Sequence, residues 1–122
     1  MLYAILCYHS EEQVFSWSKE HEAKVMADLA AVQERMAKAG KLGPVARLMP
    51  STAATTLRKG DTPLVLDGPF AETKEQLLGF YVVNGGDLEE ILEFARELGV
   101  ANPGGAYEIR PLLSFDEGTL PT

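Results

Sequence analysis

Residues 1–8, Met-Leu-Tyr-Ala-Ile-Leu-Cys-Tyr, constrain the fold more than any other stretch. They are nearly all apolar and rich in strand formers. Leu2, Ala4, Leu6 and Tyr8 alternate with Tyr3, Ile5 and Cys7, so a strand made of them carries apolar side chains on both faces. Such a strand belongs in the middle of a sheet, with cover on each side. It ends at His9-Ser10-Glu11-Glu12, where polarity rises abruptly.

A helix is predicted from Ser18 to Ala39. Val25, Leu29, Val32 and Met36 recur at spacings of four, three and four. Ser18 suits the N-cap, Glu20 and Glu22 the positive end, and Gly40 the position past the last turn. Glu22 falls almost on the apolar stripe, an anomaly for a charged residue. A second strand is predicted over Pro44–Met49, with Val45, Arg47 and Met49 on one face. Ala54–Arg58 and Pro63–Leu66 then form a short hairpin across Lys59-Gly60-Asp61-Thr62. The strongest strand runs from Leu77 to Val83. Asp87 caps a second helix, with Glu90 three residues on. Leu88, Ile91, Leu92, Ala95 and Leu98 make its buried stripe, and Gly99 is expected to stop it. Tyr107–Leu113 is the last strand, and residues 114–122 form an aperiodic tail.

Without the hairpin, the order is strand, helix, strand, strand, helix, strand. That is an α+β, ferredoxin-like split-βαβ sandwich: one sheet with both helices on one face and the short hairpin inserted. The other face of the first strand is apolar too and would form a sizeable patch on a monomer. A homodimer with its sheets face to face, a dimeric α/β barrel, would bury it.

At 122 residues and 13.3 kDa the chain is expected to be a single domain over 1–113 plus the tail. It has no apolar run of about 18 residues, so no membrane span is expected, and without a leader-like start the expected location is cytoplasmic. Charge is uneven. Residues 1–61 carry eight Lys/Arg against seven Asp/Glu (+1), and residues 62–122 three against eleven (−8). An acidic second half repels a phosphate backbone, so direct nucleic-acid binding is not expected. The single cysteine, Cys7, lies in an apolar strand, which favours a buried, inert thiol over a nucleophile.

Asp67-Gly-Pro-Phe-Ala-Glu-Thr-Lys-Glu-Gln76 is the least generic run. Asp-Gly-Pro is turn chemistry, yet five polar side chains, Glu72 to Gln76, follow it, and a bare turn does not require them. The run, with Gly79-Phe80-Tyr81 after it, resembles the DGPF motif of the YCII-related family. Ala53–Leu57 and Glu108-Ile109-Arg110-Pro111 also match that family's pattern, and the likeness covers nearly the whole chain. The resemblance implies a dimeric α/β barrel. The family is largely uncharacterised. Enzymatic roles have been attributed to a histidine and an aspartate, and some members are fused to sigma-factor domains. Asp67 is the natural candidate for that aspartate. For the histidine, this chain offers His21 a turn or two early, with Asp28 nearer the place.

Two functions follow as expectations. The first is cofactor-free acid–base chemistry, of isomerase or lyase type, on a small anionic metabolite. Asp67 would move the proton, with His21 as the second catalytic candidate. Arg47 or Arg110 would orient the anion through the planar guanidinium fork, and Glu72 and Lys74 would line the pocket. Alternation sets Arg47, Glu108 and Arg110 opposite apolar strand faces, hence toward the interior of a dimeric barrel. The blander reading makes Asp67 a turn former, Glu72 and Lys74 a solvated loop, and the arginines partners in interfacial ion pairs. The second function is a non-catalytic small-molecule-binding or regulatory dimer acting through a protein partner; any role in transcription would need that separate protein. The acidic second helix, with Glu89, Glu90, Glu93 and Glu97, is the contact face to consider there. His9 and His21 sit where exposed histidines are unremarkable. With Glu22 they lack recognised ligand spacing, so neither a metal nor a cofactor is expected.

Overall fold

The structure is a computed structural model and describes residues 1–121. Its elements are β1 (Leu2–His9), α1 (Glu11–Val14), α2 (Lys19–Lys38), β2 (Leu42–Arg47), β3 (Thr55–Arg58), β4 (Leu64–Asp67), β5 (Gln76–Asn84), α3 (Leu88–Ala101) and β6 (Ala106–Pro111), with a 3₁₀ turn at Ser51–Ala53. β1 does lie inside the sheet: the strand order is β2-β5-β1-β6, and every neighbouring pair is antiparallel. This is the ferredoxin-like arrangement. β3 and β4 form a separate two-stranded sheet.

One face of the sheet carries the core. Tyr3, Ile5, Tyr81 and Val83 pack under Val25, Leu29 and Met36 of α2 and under Ile91, Phe94 and Leu98 of α3. Both helices therefore cover the same face. Their starts are capped as the sequence implies: Ser18 Oγ accepts from the His21 N–H at 3.1 Å, and Asp87 Oδ1 from the Glu90 N–H at 3.0 Å. The Glu90 carboxylate accepts from the Gly86 N–H, one residue short of the reciprocal capping-box bond. The other face presents Leu2, Ala4, Leu6, Tyr8 and Phe80, all half-buried.

The structure differs from the sequence-based expectations in several places. β2 spans Leu42–Arg47 rather than Pro44–Met49. As an edge strand it tolerates Pro44, and its register shifts between Leu42 and Val45. α3 runs through Gly99 to Ala101, because a single glycine only weakens a helix; the stop comes at Asn102-Pro103, where proline disfavours helix in the residue before it. Leu88 is half exposed, and Phe94 takes the buried place expected of it. α1, one turn capped by Ser10, was not foreseen, since a helix this short carries no periodicity to detect. Residues 114–121 form no regular element; the tail's last residue, Thr122, lies outside the described residues. Among the described residues no helix is long and apolar enough to cross a membrane.

Candidate functional site

A partly enclosed cavity of about 220 Å³ lies between the sheet and α2, at the end where β1 gives way to α1. Its shape follows from one row of the sheet. Arg47, Gly79, Cys7 and Tyr107 are register partners across all four strands. They stand on the helix-covered face, with Val45, Tyr81, Ile5 and Ile109 in the adjoining row. Gly79 and Cys7 are small where their neighbours are large, and the space above them is not filled. Gly79 cannot be larger, because a Cβ there would run into the Ala46 carbonyl oxygen. Val25, Met26, Leu29 and Gln33 of α2 form the roof, and Phe15 and Trp17 of the α1–α2 connection close one side.

Few polar groups reach this cavity. Gln33 Nε2–H donates to the Tyr81 hydroxyl oxygen at 2.8 Å. Burial pushes the Cys7 thiol up to about 12, so it is protonated and inert at neutral pH. Burial also raises Tyr107, with smaller contributions from Cys7 and Tyr81, and it raises Tyr81, which the Gln33 hydrogen bond partly offsets. At the rim, Arg47 Nη1 meets Glu22 Oε1 at 3.2 Å, and both side chains are about half exposed. That contact accounts for Glu22 lying on the apolar stripe of α2: it reaches across to the edge strand.

His9 is buried rather than exposed. β1 pairs irregularly between Cys7 and Tyr8, and Trp17 and Gly104 then cover the imidazole. Its Nδ1 accepts from the Ser10 N–H at 2.8 Å, while Nε2 lies 3.2 Å from the Pro103 carbonyl. A backbone N–H on one side and a carbonyl on the other fix the Nε2–H tautomer. With both nitrogens engaged, His9 holds the β6 approach in place. His21 is exposed and packs edge-on against Trp17, ring centroids 4.9 Å apart; the two histidines thus flank Trp17, which is 6.2 Å from His9. Among the described residues no cluster of three or more His, Cys, Asp or Glu is arranged to hold a metal.

The predicted site residues do not converge. Arg47 is at the cavity rim. Register sets it on the helix-covered face, whereas Glu108 and Arg110, opposite Leu6 and Ala4, are on the open face. The shared direction expected for the three is therefore not what the sheet provides: β2 starts two residues earlier than Pro44, and pairing of Val45 with Tyr81 fixes its inward side. Asp67 ends β4 and is exposed. The turn after it is held by backbone and threonine, with the Gly68 N–H to the Ala54 carbonyl at 2.8 Å and Thr56 Oγ1 to the Gly68 carbonyl at 2.8 Å. Asp67, Glu72, Thr73 and Gln76 share a shallow polar groove with Glu11 and Ser51, where Glu11 accepts from the Ser51 N–H at 2.9 Å. Lys74 is exposed and lines neither hollow. Gln33, Tyr81 and Tyr107 were missed as site residues. The available signal was Gly79, a glycine inside the strongest strand, which marks close backbone approach or space reserved for something else.

Comparison with known proteins identifies the family. The YCII-related domain matches residues 1–116. An uncharacterised protein of Rhizobium meliloti (strain 1021) is 58% identical over 125 residues, the match covering 100% of both chains. Among solved structures, 5-chloro-2-hydroxyhydroquinone dehydrochlorinase (TftG) from Burkholderia phenoliruptrix AC1100, in complex with 2,5-dihydroxybenzoquinone, is similar over 92% of this chain and 93% of that one, at 14% identity and a TM-score of 0.49. The family match spans the strands and helices that enclose the cavity as well as the motif groove, and this chain belongs to the YCII-related family.

Proposed function

We propose that this YCII-related chain is a cytoplasmic homodimer that binds a small anionic metabolite in the cavity between its sheet and α2. The observation that carries the reading is a partly enclosed, mostly apolar cavity of about 220 Å³ with one guanidinium at its rim. Such a site takes an apolar body inside and an acidic group at the edge. Arg47 is held only by a half-exposed ion pair, worth under about 1 kcal/mol, so a ligand carboxylate can replace Glu22 as its partner at small cost.

Acid–base chemistry of isomerase or lyase type is the second reading. It is favoured by the exposed Asp67 carboxylate standing beside Glu72 and Gln76 in the motif groove. One experiment separates the two. Thermal melts against a panel of small carboxylates are expected to show a ligand that stabilises the wild type. Arg47→Met should weaken that ligand about tenfold, the discounted worth of a half-exposed charged hydrogen bond. Asp67→Asn should leave it unchanged. Loss of binding in Asp67→Asn with retention in Arg47→Met would move the site to the motif groove.

Dimerisation is supported by the apolar surface left outside the core. Leu57, Leu64, Val65, Leu66 and Phe70 of the hairpin and motif loop are exposed, and the open sheet face is lined by apolar side chains. A second copy packed on that face would complete a barrel. Light scattering in solution is expected to give about twice 13.3 kDa, and a mass of one chain would remove the dimer from this proposal.

A further inference from the structure

Tyr81 and Tyr107 stand on β5 and β6, on opposite sides of β1 and on the same face of the sheet, with Cys7 between them. Both line the cavity. The Tyr81 oxygen is an acceptor for Gln33, which leaves its own O–H proton with no acceptor among the described residues. The Tyr107 hydroxyl has no hydrogen-bond partner among them either. It is not a sealed orphan, because among the described residues the one buried side-chain oxygen without a partner is Asn102 Oδ1. Two phenol donors with free protons thus face one small hollow, and burial keeps both protonated at neutral pH.

At the far end of the same sheet row is Arg47, three strand spacings from Tyr107, a backbone separation of about 14 Å. Between these ends the floor is Gly79 and Cys7 and the roof Met26 and Leu29, with no charge to match. An apolar cavity of about 150 Å³ holds benzene. One of about 220 Å³ therefore has room for a ring and a few substituent atoms.

We infer that the hydroxyls of Tyr81 and Tyr107 form the oxygen-recognising end of this cavity, so that its ligand is a small keto acid. Its carboxylate meets Arg47, its flat carbon body lies over Gly79 and Cys7, and its carbonyl oxygen accepts from the two phenols. This assignment rests on the cavity being the ligand site. It goes further by fixing which functional group points inward: neutral oxygen acceptors are selected, and inward-facing methyl or methylene groups are rejected, because they would bury phenol donors unpaired.

The probes are 4-acetylbenzoate and 4-isopropenylbenzoate, which share shape and carboxylate and differ by C=O against C=CH₂. Calorimetric titration of the wild type, Tyr81→Phe, Tyr107→Phe and the double variant is the test. Each substitution is expected to weaken the ketone about five- to tenfold, the net worth of a hydrogen bond in affinity, while leaving the alkene unchanged or more tightly bound, since the unpaired donor is gone. The wild-type complex should also lower the carbonyl stretching frequency of bound 4-acetylbenzoate relative to its value in an alkane-like solvent, a readout that needs no variant. Equal losses for both probes, or an unshifted carbonyl band, would overturn the role of the phenols and leave the cavity as a site. Failure of both probes to bind the wild type would overturn the keto-acid assignment and the cavity reading together.

Discussion

Phe94→Ala should lower the unfolding free energy by about 4 kcal/mol, within the range for truncating a buried aromatic. Phe94 is 1% exposed and meets Tyr81 edge-on, with ring centroids 5.9 Å apart and planes at 80°. Truncation removes both its buried area and that aromatic contact, and it leaves a void between α3 and the sheet. For a chain of this size the melting temperature should fall by roughly 15 °C. The denaturant midpoint should move with little change in its slope. A loss below about 1.5 kcal/mol would mean that the site collapses onto the gap and that α3 is less firmly docked than its burial implies. The ring of Tyr81 rests on Phe94, so the variant should also loosen the phenol that faces the cavity.

Gly105→Ala is expected to cost about 3 kcal/mol, combining a left-handed backbone that alanine adopts poorly with an overpacked contact. Gly105 has φ +75°, and a Cβ there would run into the Tyr8 carbonyl oxygen and stand 3.0 Å from His9 Cα. Neither neighbour can move cheaply, because both belong to the strand at the centre of the sheet. Gly105→Asn tests the attribution. Asparagine tolerates positive φ better than alanine, so if strain dominated it would recover part of the loss. The steric account predicts no recovery. Circular dichroism melts of both variants decide the point.

How much of this was legible in the sequence varies by element. β1 declared itself because two apolar faces cannot be left in water. Both helices could be read from Ser18 and Asp87, caps whose side chains bond the backbone within one turn, since such signals are local. The pairing of Arg47 with Glu22 was visible only as a misplaced charge. Nothing local says which side of an edge strand faces a helix when that strand contains a proline and an irregular register. His9 was misjudged for a similar reason. Its burial comes from Trp17 and Gly104, one in a loop and the other some ninety-five positions away, and no periodicity in β1 reports them. The cavity was the least legible feature, since it exists where side chains are small rather than where any motif stands. The conspicuous motif around Asp67 drew attention to a groove on the surface, while the enclosed space formed around an inconspicuous glycine.

The strand order also fixes when the molecule can fold. β1 bonds only to β5 and β6, whose residues are made long after it. Between synthesis of Tyr8 and of its partner Ala106 lie roughly 5–20 s at the usual pace of translation. Until β5 is made, about three-quarters of the way through that interval, the most apolar segment of the chain has no strand beside it, and its β6 side stays open to the end. α2 can coil early, but it has no sheet to rest on, and the core cannot close until β6 arrives. Folding is therefore a late, long-range event with slow-folding topology. The nascent chain is most exposed to aggregation and to chaperone capture through residues 1–8.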